Sequence, residues 1–238
     1  HTQVTQLAPQ QHTFSAAEKT YQYSQLVLAC GANPIRLPMT GTATDQVLSI
    51  NTLTDYTRFR NALQHAKHIT ILGAGLIGCE FANDLQPAGF NVTVIDPTTH
   101  PLGRLVPPII GEALQQALQQ LGVTWQLGKT VTRVDHAKTG YQLTLSDDST
   151  LTTDVILSAI GLTPRTDLAV ASGIAAERGI TVNRYLTTNV DDIYALGDCA
   201  QVEGLVLPFV MPLMNAARAL AKTLVGQPTT VTYPAMPV

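Results

Sequence analysis

The residues best placed to do chemistry are three glycines and an aspartate. Gly73, Gly75 and Gly78 stand in the run ITILGAGLIGCEF, and Asp96 closes the apolar run NVTVID. Together they offer phosphate and ribose binding. Gly73 permits a tight turn out of a strand, Gly75 leaves the backbone open to a pyrophosphate, and Gly78 lets the following helix lie close to that strand. Leu76 and Ile77 open the helix, whose first N–H groups lack intrahelical acceptors and face an anion. Asp96 lies about 20 residues further on, where a carboxylate can hold a ribose 2′-hydroxyl. An isolated GxGxxG says little, but this one follows a strand, opens a helix and has its acid in place. The alternatives are a glycine turn used only for packing and a solvated acid at a strand end. A carboxylate also repels a 2′-phosphate, and Arg104 is the first basic residue after Asp96, so NAD(H) is expected over NADP(H).

Other residues stay ambiguous at this level. Glu80 is either a favourable charge near a helix start or a contact for the nicotinamide end of the cofactor. The stretch TNVDDIYALGD ends a strand in Gly197-Asp198. An acid at that edge of an α/β sheet marks a ligand position, unless it only caps a turn. Cys30, Cys79 and Cys199 are far apart and form no CxxC pair. A structural disulfide or zinc site is therefore not expected, and a reducing cytoplasm is the default. No catalytic nucleophile, general acid or metal-ligand cluster is apparent.

The elements that must position these residues alternate. Strands are expected at Tyr23–Ala29, His68–Leu72, Asn91–Ile95, Val123–Gln126, Asp154–Ile160, Gly179–Val182 and Ile193–Leu196. Helices are expected at Leu53–Ala66 (capped by Asn51 or Thr52), Leu76–Leu85, Pro107–Leu121 and Met211–Val225. Short strands at Val131–Asp135, Tyr141–Leu145 and Leu151–Thr153, split by polar turns, read as an antiparallel meander after a βαβαβ unit. The class is α/β. Two strand ends share the form Ala-x-Gly-x-x-Pro, ACGANP from Ala29 and AIGLTP from Ala159, and bracket the glycine run. They read as points where the chain leaves one domain and returns.

Composition narrows the function classes. Hydrophobic residues make up 45% of the 238 residues and charged ones 13%, which argues for a packed core rather than disorder. A net charge of −3 suggests neither nucleic acid nor an anionic membrane as partner. No apolar run approaches the roughly 20 residues of a membrane helix. The chain lacks an initiator Met and reads as part of a longer one.

Taken in order, these motifs resemble the flavoprotein reductases with two dinucleotide-binding domains, the glutathione-reductase-like superfamily. In that family an FAD domain is interrupted by an NAD(P)H domain, the crossings carry ATGxxP-like motifs, and the second FAD fingerprint is TxxxxIYAxGD. Thr188 to Asp198 matches that fingerprint. The resemblance implies a Rossmann-like βαβαβ NAD(H) domain over 38–162 with a β-meander insertion, nested in a partial FAD-binding α/β domain over 1–37 and 163–238. It places Asp198 on the FAD ribitol and Gly161 beside the nicotinamide, and it favours the nicotinamide-side role for Glu80.

Finer features, GAGLIGCEFANDL, SAIGLTPRTDLA, IYALGDCA and LPFVMPLMNAARALAKTL, resemble the rubredoxin–NAD reductases. These imply electron flow from NADH through FAD to rubredoxin, as supply for alkane hydroxylation. In them the closing helix points its N-terminal end at the flavin, which here falls on Met211-Pro212-Leu213; Met214 is expected in the core. A [2Fe–2S] ferredoxin reductase of the same build, or a non-enzymatic NAD-binding module, are the rival readings. Two departures stand out. Cys30 replaces the Thr of the first crossing and is expected to fill space rather than act in redox. The family's first FAD fingerprint and its C-terminal interface domain are not found, so the NAD site is expected whole and the FAD site incomplete, with the chain binding NADH yet colourless.

Overall fold

A computed structural model describes residues 2–233. They form two compact units, one spanning Pro34–Gly161 and the other joining the residues up to Asn33 with those from Leu162 onward.

The chain enters through an antiparallel meander, β1 (Val4–Ala8), β2 (Thr13–Ala16) and β3 (Lys19–Gln22). No strand was expected there, for two physical reasons. The β2–β3 hairpin turns through Ala17 and Glu18, both at positive φ (48° and 61°), without the Gly or Asn that normally marks such a turn. All four residues of β3 are exposed, so no apolar alternation reveals it. Next come β4 (Leu26–Leu28), the centre of the expected Tyr23–Ala29 strand, and β5 (Ala32–Pro34).

The Pro34–Gly161 unit contains β6 (Leu48–Ser49), α1 (Leu53–Ala62), β7 (His68–Leu72), α2 (Leu76–Leu85) and β8 (Asn91–Asp96). It continues with α3 (Pro108–Gln120), β9 (Thr124–Leu127), β10 (Val131–His136), β11 (Tyr141–Leu145), β12 (Thr150–Thr153) and β13 (Val155–Ser158). Five strands form one parallel sheet in the order β6-β13-β7-β8-β9, with Ile71 opposite both Val94 and Leu157. A parallel sheet is covered on both faces, which is why its strands are almost continuously apolar. Alternate residues serve opposite cores. Ile69, Ile71, Val92, Val94, Val155 and Leu157 pack with Ala82, Leu85 and Leu118 of the helices. Leu72, Ile95 and Ile156 pack with Val134, Leu143 and Leu145 of the meander β10-β11-β12. Each such side chain contributes about 1.5–3 kcal/mol of burial.

Local signals set the helices. Thr52 and Asp55 form a reciprocal capping box at the start of α1, with Asp55 N–H donating to Thr52 Oγ1 at 3.1 Å and Thr52 N–H to Asp55 Oδ2 at 2.9 Å. The helix is shorter than expected, giving way to a 3₁₀ turn at Leu63–His65, and Leu53 is 86% exposed rather than part of an inward stripe. In α2, Gly78, Ala82 and Leu85 repeat on the buried side.

The other unit is completed by β14 (Leu162–Pro164), α4 (Asp167–Ala171), β15 (Ile180–Val182), β16 (Ile193–Ala195), β17 (Ala200–Val202) and α5 (Val210–Leu224). Strand β4 pairs in parallel with β16, β15 with β17, and β5 with β14. Pro212, Ala216, Ala219 and Leu220 turn α5 onto a core with Leu28, Ile180 and Ile193. Met214 lies half a turn from Pro212 and Ala216 and is 39% exposed, so it does not fill the core as expected. Among the described residues, no helix is long and apolar enough to cross a membrane.

The closest constraint in the fold lies at Gly78, where a Cβ would sit 1.9 Å from the Gly73 carbonyl oxygen. That oxygen is backbone in the site turn and has little room to retreat. Gly78→Ala is expected to lower stability by about 3 kcal/mol, read as a fall in the urea midpoint at unchanged slope.

Candidate functional site

From β7 the chain winds outward through β8 and β9 on one side, while β13 and β6 lie on the other. The carboxyl ends of β7 and β13 therefore flank the topological switch point, where open α/β sheets bind ligands. Gly73 occupies that position. Its φ is +105°, and a Cβ there would come within 2.7 Å of the Ala159 carbonyl oxygen beyond β13. Gly73 N–H donates to Ile95 O at 2.8 Å, tying the turn to the end of β8.

Asp96 is bound into this turn. Ala74 N–H donates to its Oδ2 at 2.7 Å, and Thr98 presents its N–H at 2.8 Å and its hydroxyl at 2.5 Å to Oδ1. The carboxylate is half-buried and oriented, unlike a solvated strand-end acid. Oδ2 has one protein donor and so retains a lone pair for a ligand hydroxyl. The following loop folds back onto the turn, with Leu102 N–H donating to Ala74 O at 2.8 Å. Neither Ala74 nor Thr98 was singled out in the sequence. A Thr two residues after an Asp is a local signal for this bonding pattern, whereas Ala74 acts through its backbone and leaves none.

Gly75 is the N-cap of α2, in extended backbone with no side-chain cap. The first α-helical bond is from Cys79 N–H to Gly75 O, leaving the N–H groups of Leu76, Ile77 and Gly78 without intrahelical acceptors. A Cβ on Gly75 would meet nothing within 4 Å, so the space in front of these donors is open. The helix dipole adds positive potential there. Glu80 is exposed in the second turn of α2 and has no hydrogen bond or ion pair among the described residues. It lies past the first turn, where the dipole effect fades, so the reading as a dipole-balancing charge loses its support. The Cys79 thiol is pushed up to about 11 by burial and by the charges of Asp96 and Glu80, and stays protonated. Gly161 ends this unit at φ +111°, its carbonyl accepting from Ile35 N–H at 3.1 Å. A groove of about 450 Å³ lined by Tyr56, Phe59, Arg60 and Phe81 contains none of the expected residues.

In the other unit, Asp198 sits in a 3₁₀ turn, Gly197–Cys199, just after β16. It is half-buried, and its carboxylate has no hydrogen bond or ion pair among the described residues, so it caps no turn. The N-terminus of α5 has no side-chain cap, and Val210 and Met211 are 75% and 59% exposed there. The donors differ from the expected Met211-Pro212-Leu213. Pro212 has no N–H and is buried, and Leu213 N–H is taken by Phe209 O at 3.2 Å, which leaves Val210 and Met211. Pro212 and Leu213 instead line, with Gly197, a small cavity of about 10 Å³.

The family model described as pyridine nucleotide-disulphide oxidoreductase matches residues 1–222. The rubredoxin-NAD(+) reductase of Acinetobacter baylyi is 52% identical over 225 residues, 93% of this chain and 57% of the relative. That of Alcanivorax borkumensis is 50% identical over 217 residues, 91% of this chain and 57% of the relative. A ferredoxin reductase from Rhodopseudomonas palustris has a similar solved structure, with a TM-score of 0.92 at 28% identity over 98% of this chain and 60% of that one. The chain thus spans little more than half the length of the curated relatives it matches.

Gly75 and Asp96 give separable tests. Gly75→Ala fits a φ of −75° and open space, so the fold is expected to survive while NADH affinity falls about tenfold or more as the methyl enters the phosphate space. Asp96→Ala is expected to lose both affinity and stability, because Ala74 and Thr98 lose their acceptor. Fluorescence titration with NADH beside thermal melts checks both. A Gly75→Ala protein that binds NADH as well as the parent would refute the phosphate role.

Proposed function

This chain belongs to the pyridine nucleotide-disulphide oxidoreductase family, and from that premise we propose that the protein is an NADH-dependent flavoprotein reductase that delivers electrons through FAD to rubredoxin. The observation that carries it is the glycine turn bonded to Asp96 at the switch point of the sheet. Half-identity to two rubredoxin-NAD(+) reductases supports the acceptor.

The Pro34–Gly161 unit is the NAD(H)-binding domain. Gly73 and Gly75 shape the pyrophosphate space, Leu76, Ile77 and Gly78 supply its donors, and Asp96 holds the adenosine ribose. Glu80, exposed and unpartnered, and Gly161 belong to the nicotinamide end. The unit containing Asp198 fits FAD on two grounds: a half-buried carboxylate with a free acceptor capacity for a ribitol hydroxyl, and an uncapped 15-residue helix whose Val210 and Met211 N–H groups favour negative charge. When bound, NADH supplies a hydride and FAD passes its electrons on one at a time. The chain's own residues bind and orient. The protein is assigned to the cytoplasm, in keeping with its three free thiols.

A ferredoxin is the competing acceptor, favoured by the Rhodopseudomonas palustris structure. The test is NADH oxidation by the full-length, FAD-loaded protein with rubredoxin or a [2Fe–2S] ferredoxin. A rate about tenfold higher with rubredoxin is expected. Faster turnover with ferredoxin would reassign the acceptor, and no acceptor-dependent oxidation would overturn the reductase reading. NADPH is expected to replace NADH poorly, since Asp96 opposes its 2′-phosphate.

A further inference from the structure

Ala74 is held from both sides. Its N–H goes to Asp96 Oδ2 at 2.7 Å, and its carbonyl oxygen accepts from Leu102 N–H at 2.8 Å. The Cys79 thiol donates to the same oxygen at 3.5 Å. A peptide is planar and trans, so the C=O of Ala74 and the N–H of Gly75 point in opposite directions. Fixing the carbonyl on Leu102 therefore turns Gly75 N–H away from the loop that follows β8. That N–H has no acceptor among the described residues, and a Cβ on Gly75 would meet nothing within 4 Å.

The residue that fixes the carbonyl is itself in a rare conformation. Leu102 has φ +55°, in the left-handed region that a leucine seldom enters. Such a backbone persists only where its surroundings impose it, and here they do. Leu105 N–H and Val106 N–H both donate to Leu102 O, at 2.7 and 3.1 Å. His100 is buried against α3, which makes room for it at Gly111: a Cβ there would sit 2.2 Å from His100 Nδ1 and 2.6 Å from Pro101 O. At Gly103 a Cβ would lie 2.9 Å from Thr98 Cβ, and Thr98 in turn holds Asp96. The loop from Asp96 to α3 is packed into one shape, with the left-handed residue at its middle and against the turn.

We propose that Leu102 is a positioning residue of the dinucleotide site: its left-handed backbone holds the Ala74 carbonyl and so aims Gly75 N–H at the pyrophosphate, as a donor beyond those of Leu76, Ile77 and Gly78. This rests on the dinucleotide reading of the site and adds what orients its turn. Gly73 and Gly78 allow the turn to lie where it does, and Leu102 decides which way its last peptide faces. The side chain of Leu102 has a separate part, packing against the core beneath the sheet. Because backbone and side chain have different jobs, substitutions can separate them.

The test titrates the protein with ADP-ribose, which carries the adenosine and both phosphates of NADH but no hydride, and with adenosine alone. In the isotope-labelled parent, the Gly75 amide proton is expected to move downfield with ADP-ribose and far less with adenosine. Leu102→Val keeps an apolar side chain, but its β-branch disfavours the left-handed region. Its affinity for ADP-ribose is expected to fall about tenfold, and that for adenosine much less. Leu102→Gly enters that region freely and keeps the N–H, so it is expected to bind ADP-ribose about fivefold tighter than Leu102→Val. It should nonetheless melt lower, having lost the packed side chain. A residue acting only by packing gives the reverse order, with Val mild and Gly severe. Leu102→Gly binding ADP-ribose no better than Leu102→Val, or an equal loss for adenosine, would overturn the proposal. So would a Gly75 amide that ADP-ribose leaves unmoved in the parent, a result that stands even if Leu102→Val does not fold. A parent that binds no ADP-ribose at all would sink the dinucleotide reading itself, and the proposal with it.

Discussion

The hydrogen bond from Ala74 N–H to Asp96 Oδ2 is the interaction on which the Pro34–Gly161 unit's candidate site depends. It joins the turn after β7 to the acid at the end of β8, so the uncapped start of α2 and the carboxylate are held as one object. The turn can take that position only because Gly73 and Gly78 have no side chains: Gly73 faces the Ala159 carbonyl, and Gly78 faces the carbonyl of Gly73 itself. The register of β7 between β13 and β8 sets both distances. Sheet topology, backbone crowding and the acid's orientation are therefore one constraint rather than three features.

The two units use their polar groups differently. In the Pro34–Gly161 unit the main carboxylate is already engaged by three protein donors and has limited capacity left, which suits positioning a single hydroxyl. In the other unit, among the described residues, the Asp198 carboxylate has no hydrogen bond or ion pair and α5 has no side-chain cap. A half-buried carboxylate without a partner costs stability unless water or a ligand satisfies it, whereas the exposed start of α5 is open to solvent. The strong local order around Asp198, with Cys199 packed beneath the strand ends, keeps the turn in place without using its carboxylate.

Much of the architecture was legible because its signals are local. The β7–turn–α2 segment follows from an apolar run, a glycine pattern and an uncapped helix start, and α2 spans the expected Leu76–Leu85. The meander β10-β11-β12 was marked by its polar turns. The N-terminal meander escaped because Ala17 and Glu18 adopt turn conformations their types do not advertise, and because β3 buries nothing. Met214 and Leu53 went astray for a related reason: an apolar residue on a helix does not say which face the rest of the fold will cover.

The sequence by itself determined the glycine turn, the acid at its expected distance, the α/β alternation and the family resemblance, since each rests on spacing within one short segment. Tertiary structure alone decided that Asp96 would be bonded to Ala74, that Pro212 would be packed while Val210 and Met211 keep the free donors, and that the Cys199 thiol would reach the Leu28 carbonyl. These outcomes depend on which strand ends become neighbours and how the connecting turns fold back. That is a property of sheet order and register, to which residues far apart in the chain contribute jointly and no single segment records.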